Sequence, residues 1–171
     1  MEIVPALLET ELEQFKDRLE GLVGFAGRIQ VDFNDGSFEG NATLKPGDLH
    51  ELVTNYTDRI LFEAHLMVQR PREDKWISEL VNLGFRKIII QYEIEDNIRE
   101  VLEEVRQAGV KVGLAIGPET GVAEIEPFGD LLDTVTIMTV EPGKQGQKFR
   151  PELLAKVTEL RDGNFPGEIM Y

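Results

Sequence analysis

The sequence predicts an α/β protein of the (β/α)8 barrel type, a TIM barrel whose C-terminal units are missing or partial. Apolar strand-like segments recur roughly every 20 to 35 residues, with a helical segment between them, along the whole chain of 171 residues. Such strands pair in parallel, in either a doubly wound sheet or an eight-stranded barrel. The segment Leu8-Glu9-Thr10 lacks the glycine fingerprint of dinucleotide-binding sheets after strand one, which favours the barrel.

The strands and helices are predicted from the spacing of apolar residues and from residues that typically begin or end helices. Thr10 and Glu13 have the spacing of a capping box and predict the start of the first helix. Gly84 and Gly109 are expected to end the third and fourth helices. Strands are predicted at residues 2–8, 29–36, 59–68, 87–92, 110–116, 134–140 and 167–171. Helices are predicted at 10–22, 47–56, 71–83, 94–108, a short one at 122–128, and 151–160.

Residues 1–171 are expected to form a single barrel domain that ends at strand seven. That is about six and a half of the eight units, and complete barrels of this type usually need roughly 200 residues or more. Strands one and seven would then be edges, where unpaired backbone groups favour self-association into a homo-oligomer.

Composition excludes several classes of protein. Thirty-two acidic residues against eighteen Lys and Arg give a net charge of -14, which argues against nucleic acid or an anionic membrane surface as a partner. The absence of cysteine excludes disulfides, thiolate metal sites and a cysteine nucleophile. Neither a signal pattern nor an apolar run of about 20 residues is present, so a cytoplasmic location is expected.

The candidate active site starts from strand two, where a buried alternating segment ends in carboxylates. Asp32 lies on the strand itself, and a buried carboxylate is costly unless it is used or paired. His65 ends strand three and would share its rim, and carboxylate with imidazole suits Zn, Fe or Mn. His65 could instead be a core histidine and Asp35 a turn residue, while His50 is interpreted as a surface residue.

Two further segments could reach this rim. Gly143-Lys144-Gln145-Gly146 follows strand six, and its glycines would let backbone amides approach a ligand while Lys144 adds one positive charge. The alternative is a flexible turn. Glu93 ends strand four as either a rim carboxylate or a helix-capping acid, and capping is the favoured interpretation.

Three segments resemble motifs of the ribulose-phosphate 3-epimerase family. Residues 29–36 are similar to its His-x-Asp-x-x-Asp-Gly strand. Residues 63–68 resemble its His-Leu-Met-Val motif, and residues 138–149 its Met-Thr-Val-Asn-Pro-Gly-Phe-Gly-Gly-Gln segment. The segments occur in the family's order, and the resemblance covers nearly the whole chain.

The resemblance implies a ribulose-phosphate-binding (β/α)8 barrel, an isomerase that interconverts ribulose 5-phosphate and xylulose 5-phosphate with one divalent metal ion. Asp32 would then be a metal ligand and the catalytic acid-base, and His65 a metal ligand that also contacts the substrate. The 143–146 loop, including Lys144 and Gln145, would bind the sugar phosphate. Gln30, Met67 and Met138 would line the reaction centre.

The chain also departs from the family pattern. Gln30 and Gln91 stand where the family has histidines, and Asn34 where it usually has methionine. The family's second catalytic aspartate follows strand seven. These departures predict a weakly bound metal (Zn, Fe or Mn) and little activity of the chain as written. They leave open a noncatalytic sugar-phosphate-binding or interaction protein. A decarboxylase or synthase of the same superfamily is disfavoured because Asn34 occupies the position of its lysine.

Overall fold

Seven strands form one parallel sheet in the computed structural model, which describes residues 2–171, and their order along the sheet is the order of the sequence. The sheet curls into part of a barrel, and β1 and β7 are its terminal strands, so the predicted fold class is confirmed. The strands are β1 (Ala6–Leu7), β2 (Arg28–Asn34), β3 (Leu61–Met67), β4 (Lys87–Gln91), β5 (Lys111–Ile116), β6 (Thr134–Ile137) and β7 (Glu168–Met170).

Helices connect most of the strands on the outside of the sheet. They are α1 (Leu12–Leu22), α2 (His50–Thr54), α3 (Trp76–Asn82), α4 (Ile98–Gln107) and α5 (Ala155–Asp162). Two 3-10 turns, Val122–Glu124 and Glu126–Phe128, replace a helix between β5 and β6, and two others precede α2 (Pro46–Leu49) and α5 (Pro151–Leu154). Within residues 2–171, no helix has the length and apolar character that crossing a bilayer requires.

Three local predictions were wrong. Thr10 does not cap α1: the helix begins after Glu11, whose side chain makes no capping hydrogen bond. The first strand is limited to two residues, because it pairs only with β2 and because Pro5 has no amide hydrogen to donate. The sixth strand ends at Ile137, opposite Ile116, where its partner β5 also ends.

The two faces of β2 differ in character. Ile29, Val31 and Phe33 point outward into the core between the sheet and the helices, and all three are buried. The ring of Phe33 meets that of Trp76 from α3 edge to face, with 5.7 Å between centroids. Full burial of such a side chain contributes about 1.5–3 kcal/mol. The residues between them therefore face the inner side of the curled sheet.

Charged residues fill the inner face at the N-terminal ends of the strands. Arg28 donates hydrogen bonds to Glu63 at 2.7 Å and to Glu168 at 2.9 Å. The ammonium of Lys87 lies 3.2 Å from Glu63 and 2.5 Å from Glu168, and the side chains of Glu63 and Lys87 are only 4% and 3% exposed. Because β7 pairs with neither β2 nor β4, the two ion pairs of Glu168 bridge across the inner face.

We expect Glu168→Gln to destabilise the fold in a pH-dependent way. Burial alone would raise the pKa of Glu168, but hydrogen bonds from Arg28 and Lys87 outweigh it and lower the pKa from 4.5 to about 2. The carboxylate therefore stabilises the protein fully above pH 4.5, and this contribution is lost as the pH falls towards 2. Urea unfolding of both proteins at several pH values measures the difference.

The matched control is Glu95→Gln, which removes a pair with Arg70 whose side chains are 66% and 57% exposed. Exposed pairs contribute about 0–1 kcal/mol, so this variant should lose less stability at pH 7 than Glu168→Gln. If the loss of unfolding free energy in Glu168→Gln stayed constant down to pH 3, the stabilising role of these ion pairs would be contradicted.

Candidate active site

Asp32 and His65 lie side by side at the C-terminal ends of β2 and β3. The parallel register pairs them directly, and the His65 Nδ1 atom is 3.6 Å from the Asp32 Oδ1 atom. The His65 side chain is 1% exposed and that of Asp32 18% exposed, so a ligand at the rim can reach the carboxylate. The structure thus brings together the two residues that the sequence singles out, on one rim of the sheet.

Gln30 adds an amide to this pair from the same face of β2. Its Nε2 atom donates a hydrogen bond to Asp32 Oδ1 at 2.7 Å. Its Oε1 atom is buried and has no hydrogen-bond partner among the described residues. A buried acceptor left unpaired typically costs about 1–3 kcal/mol, so this oxygen keeps an unused capacity to accept a hydrogen bond.

Gln91 and Glu93 support His65 from the side of β4. His65 Nε2 is 2.8 Å from Gln91 Oε1, and Gln91 in turn donates to Glu93. Glu93 accepts the backbone N–H of Gly117 at 2.8 Å and the hydroxyl of Thr120. The preferred interpretation of Glu93 as a helix-capping acid was therefore wrong, because Asn97 caps α4 and Glu93 binds the loop after β5.

Two methionines extend the same inner face. Met67 follows His65 by two positions on β3, so alternation puts both on one side of the strand, and Met67 is buried. Met138 directly follows β6 and continues its pairing, since its N–H donates to the Ile116 carbonyl at 2.9 Å. Their positions agree with the predicted lining of the site, and their contact with a ligand stays a prediction.

The 143–146 loop is held by the loops after β1 and β2. The side-chain amide of Asn34 donates to the carbonyls of Glu39 at 2.9 Å and of Gly143 at 3.4 Å. Gln145 donates to the Leu8 carbonyl at 2.7 Å. Sequence reasoning noted Asn34 only as a departure from the family pattern and missed this tether, because its partners lie on other loops.

Lys144 and Gln145 line a cleft of about 440 Å³ beside this tether. Asp32 and His65 are not among its lining residues. The Lys144 side chain is exposed, whereas its backbone carbonyl accepts a hydrogen bond from Gln147 at 2.8 Å. A role of Lys144 and Gly146 in binding substrate stays a prediction.

The donor atoms suit a weakly held divalent metal. No group of three or more His, Cys, Asp and Glu residues within residues 2–171 is arranged to bind a metal ion. Asp32 Oδ1 and His65 Nδ1 face each other, and Gln30 Oε1 supplies one further free oxygen. Tight sites usually have three or four protein ligands, so this set is incomplete by that standard, and weak metal binding stays a prediction.

The chain is similar to known epimerases over most of its length. The model of the ribulose-phosphate 3 epimerase family matches residues 2–166. The ribulose-phosphate 3-epimerase of Schizosaccharomyces pombe is 34% identical over 93% of this chain and 70% of its own. The enzyme of Mycobacterium tuberculosis is 34% identical over 98% of this chain and 71% of its own length. The enzyme of Chlamydia muridarum is 32% identical over 93% of this chain and 68% of its own length.

Solved structures agree on the fold at much lower identity. A tryptophan synthase alpha-subunit from Pyrococcus furiosus superposes with a TM-score of 0.65 at 15% identity, over 98% of this chain and 85% of its own. The tryptophan synthase alpha chain of Legionella pneumophila gives a TM-score of 0.64 at 14% identity, over 97% of this chain and 68% of its own. These likenesses concern the fold alone.

We expect Gly143→Ala to separate the 143–146 loop from the loop after β2. A Cβ atom at Gly143 would lie 2.1 Å from the Glu39 carbonyl oxygen, and the φ angle of +101° is unfavourable for alanine. Amide hydrogen exchange should therefore become faster in residues 36–43 and 141–148.

Gly146→Ala is the control, because its φ of +75° carries a similar backbone cost but its Cβ would meet nothing within 4 Å. Equal exchange rates in the two variants would show that the contact with Glu39 does not hold the loops together.

Proposed function

The chain belongs to the ribulose-phosphate 3-epimerase family, and we propose that it moves the proton at carbon three of a pentulose 5-phosphate. Membership places it among the isomerases, in agreement with the predicted enzyme class. The facing pair of Asp32 and His65, with Gln30 beside it, is the observation that carries the proposal. We take residues 1–171 to act as one barrel domain.

Asp32 is the proposed base. Removing a proton next to a ketone needs a positioned carboxylate or imidazole within hydrogen-bond reach of that carbon. The Oδ1 atom of Asp32 accepts a hydrogen bond from Gln30 and lies near His65 Nδ1, and the side chain keeps part of its surface accessible at the rim. General acid-base groups of this kind typically contribute about 10²- to 10⁴-fold to the rate.

Asp32, His65 and Gln30 are the residues that would hold a divalent metal ion. A bound divalent ion supplies positive charge that stabilises the oxygen on which negative charge develops when the proton leaves. Gln30 orients the Asp32 carboxylate and Gln91 orients the His65 ring, so both side chains would be positioned as ligands for such an ion.

Inversion at carbon three requires a second group that delivers a proton to the opposite face. Glu93 is the other carboxylate in contact with this cluster, but Gln91, Gly117 and Thr120 already engage both of its oxygens. Asp32 can therefore exchange the proton, while epimerisation needs a further donor. We expect residues 1–171 to exchange hydrogen at carbon three faster than they invert it.

A noncatalytic sugar-phosphate-binding protein is the second candidate. The amide at position 30 favours it, because an amide oxygen is a poorer ligand for Zn or Fe than an imidazole nitrogen. Such a protein would bind the pentulose phosphate without exchanging its hydrogen.

The first test follows deuterium exchange at carbon three of ribulose 5-phosphate in deuterated water by NMR. The chain should catalyse exchange, and Asp32→Asn should lower the rate by at least about 10²-fold, because an amide cannot take up the proton. Binding of the sugar phosphate without any exchange would instead establish the noncatalytic candidate.

Asp35→Asn is the matched control, three positions further along the chain. The Asp35 carboxylate accepts the backbone N–H groups of Ser37 at 2.9 Å and Gln69 at 2.8 Å, and an asparagine oxygen can still accept one of them. Its exchange rate should stay close to that of the parent chain. An equal loss in both variants would refute the assignment of the base to Asp32.

The second test measures Mn²⁺ and Zn²⁺ binding by titration calorimetry. Binding should be weak, should be lost in His65→Ala, and should tighten in Gln30→His, which replaces an amide oxygen by an imidazole nitrogen. His50→Ala is the control, since His50 is exposed on α2. A stoichiometric metal ion that survived dialysis against a chelator would contradict weak binding.

A further inference from the structure

A continuous row of hydrogen bonds leads from the loop after β5 to the ring of His65. The N–H of Gly117 and the hydroxyl of Thr120 donate to Glu93 Oε1. Glu93 Oε2 accepts from Gln91 Nε2, and Gln91 Oε1 lies 2.8 Å from His65 Nε2. Gln91 and His65 are 0% and 1% exposed, so water does not compete for the bond between them, whereas Glu93 is exposed at the rim.

The row has a fixed direction because a carboxylate with no proton only accepts. Glu93 obliges Gln91 to present its NH2 group, and an amide that does so presents its oxygen to the other side. His65 Nε2 therefore has to be the donor and carries the ring proton. In the neutral ring this leaves the lone pair on Nδ1, the atom 3.6 Å from Asp32 Oδ1.

The loop that sets this direction is itself anchored. Lys156 on α5 donates to the carbonyls of Gly117 at 3.0 Å, Pro118 at 2.7 Å and Thr120 at 2.7 Å. Gly117 permits the close approach of Glu93, since a Cβ atom there would lie 3.0 Å from the carboxylate oxygen.

We propose that Glu93, acting through Gln91, is a positioning residue that holds His65 in the tautomer whose Nδ1 lone pair faces Asp32. The competing arrangement is a proton on Nδ1 directed at the Asp32 carboxylate, which would close that side of the ring to any cation. The functional meaning of the row, though not its geometry, rests on the proposed function. Partners of this kind outside the ligand shell are typically worth about 10- to 100-fold in metal affinity.

Glu93→Gln tests the direction of the row with almost no change of shape. Its new side-chain oxygen would accept from Gly117 and Thr120, so its NH2 group would face Gln91. Gln91 would then turn its own amide over and donate to His65 Nε2, which moves the ring proton to Nδ1. The variant should therefore invert the tautomer of His65 while leaving Asp32, His65 and Gln30 in place.

The measurement is ¹⁵N NMR of the metal-free protein at pH 8.5, where imidazole side chains of ordinary pKa are neutral. The chain has two histidines, and the signals of exposed His50 serve as the internal reference. The parent should show the proton of His65 on Nε2 and Glu93→Gln should show it on Nδ1. Glu95→Gln, a neighbouring exposed carboxylate, should leave it on Nε2.

Metal titration of the same proteins links the tautomer to the site. Glu93→Gln should weaken Mn²⁺ or Zn²⁺ binding by about 10- to 100-fold, although it changes no proposed ligand. A His65 proton on Nε2 in both proteins would overturn the proposal even if the chain binds metal and exchanges hydrogen. An inverted tautomer in a chain that neither binds metal nor exchanges hydrogen at carbon three would uphold the row and refute the proposed function instead.

Discussion

The parallel pairing of β2 with β3 is the constraint on which the candidate site depends. Seven residue pairs, from Arg28 with Leu61 to Asn34 with Met67, fix the register that sets Asp32 opposite His65. A slip of one residue would turn every side chain of β2 to the other face, exposing its apolar residues to the inner side and sending Asp32 into the hydrophobic core. The burial of apolar side chains under the helices therefore determines which polar groups meet at the rim.

The inner face uses its polar groups differently at its two ends. At the N-terminal ends of the strands, Arg28 and Lys87 neutralise Glu63 on the neighbouring strand β3 and Glu168 on β7, which is adjacent to neither of their strands. Each of these charges has a partner of opposite sign, so the cluster stabilises the curl of the sheet and offers little to a ligand. At the C-terminal ends the groups are a carboxylate, an imidazole and amides. This is the end at which barrels of this type carry their chemistry.

Sequence reasoning reached the fold and the centre of the site because both follow from short-range patterns. Period-two alternation predicts the strands, and the rule that parallel strands end at one rim predicts that Asp32 and His65 lie together. The predicted capping box at Thr10 was wrong, because the spacing of Thr10 and Glu13 does not determine at which residue the helix begins. The role of Glu93 was missed because its partner Gly117 lies 24 positions away, on a loop whose place is set by packing.

Unpaired buried oxygens lower the stability of the fold, and this loss of stability bears on the function of the chain. Gln30 keeps a buried oxygen without a partner, and Thr136 on β6 likewise keeps a buried hydroxyl oxygen unpaired among the described residues. An apolar side chain at either position would avoid a penalty of about 1–3 kcal/mol each. A barrel that served only as a scaffold would gain stability from such a replacement. The unpaired oxygen of Gln30, beside Asp32, suits a ligand that donates a hydrogen bond or carries positive charge, such as a sugar hydroxyl or a divalent ion.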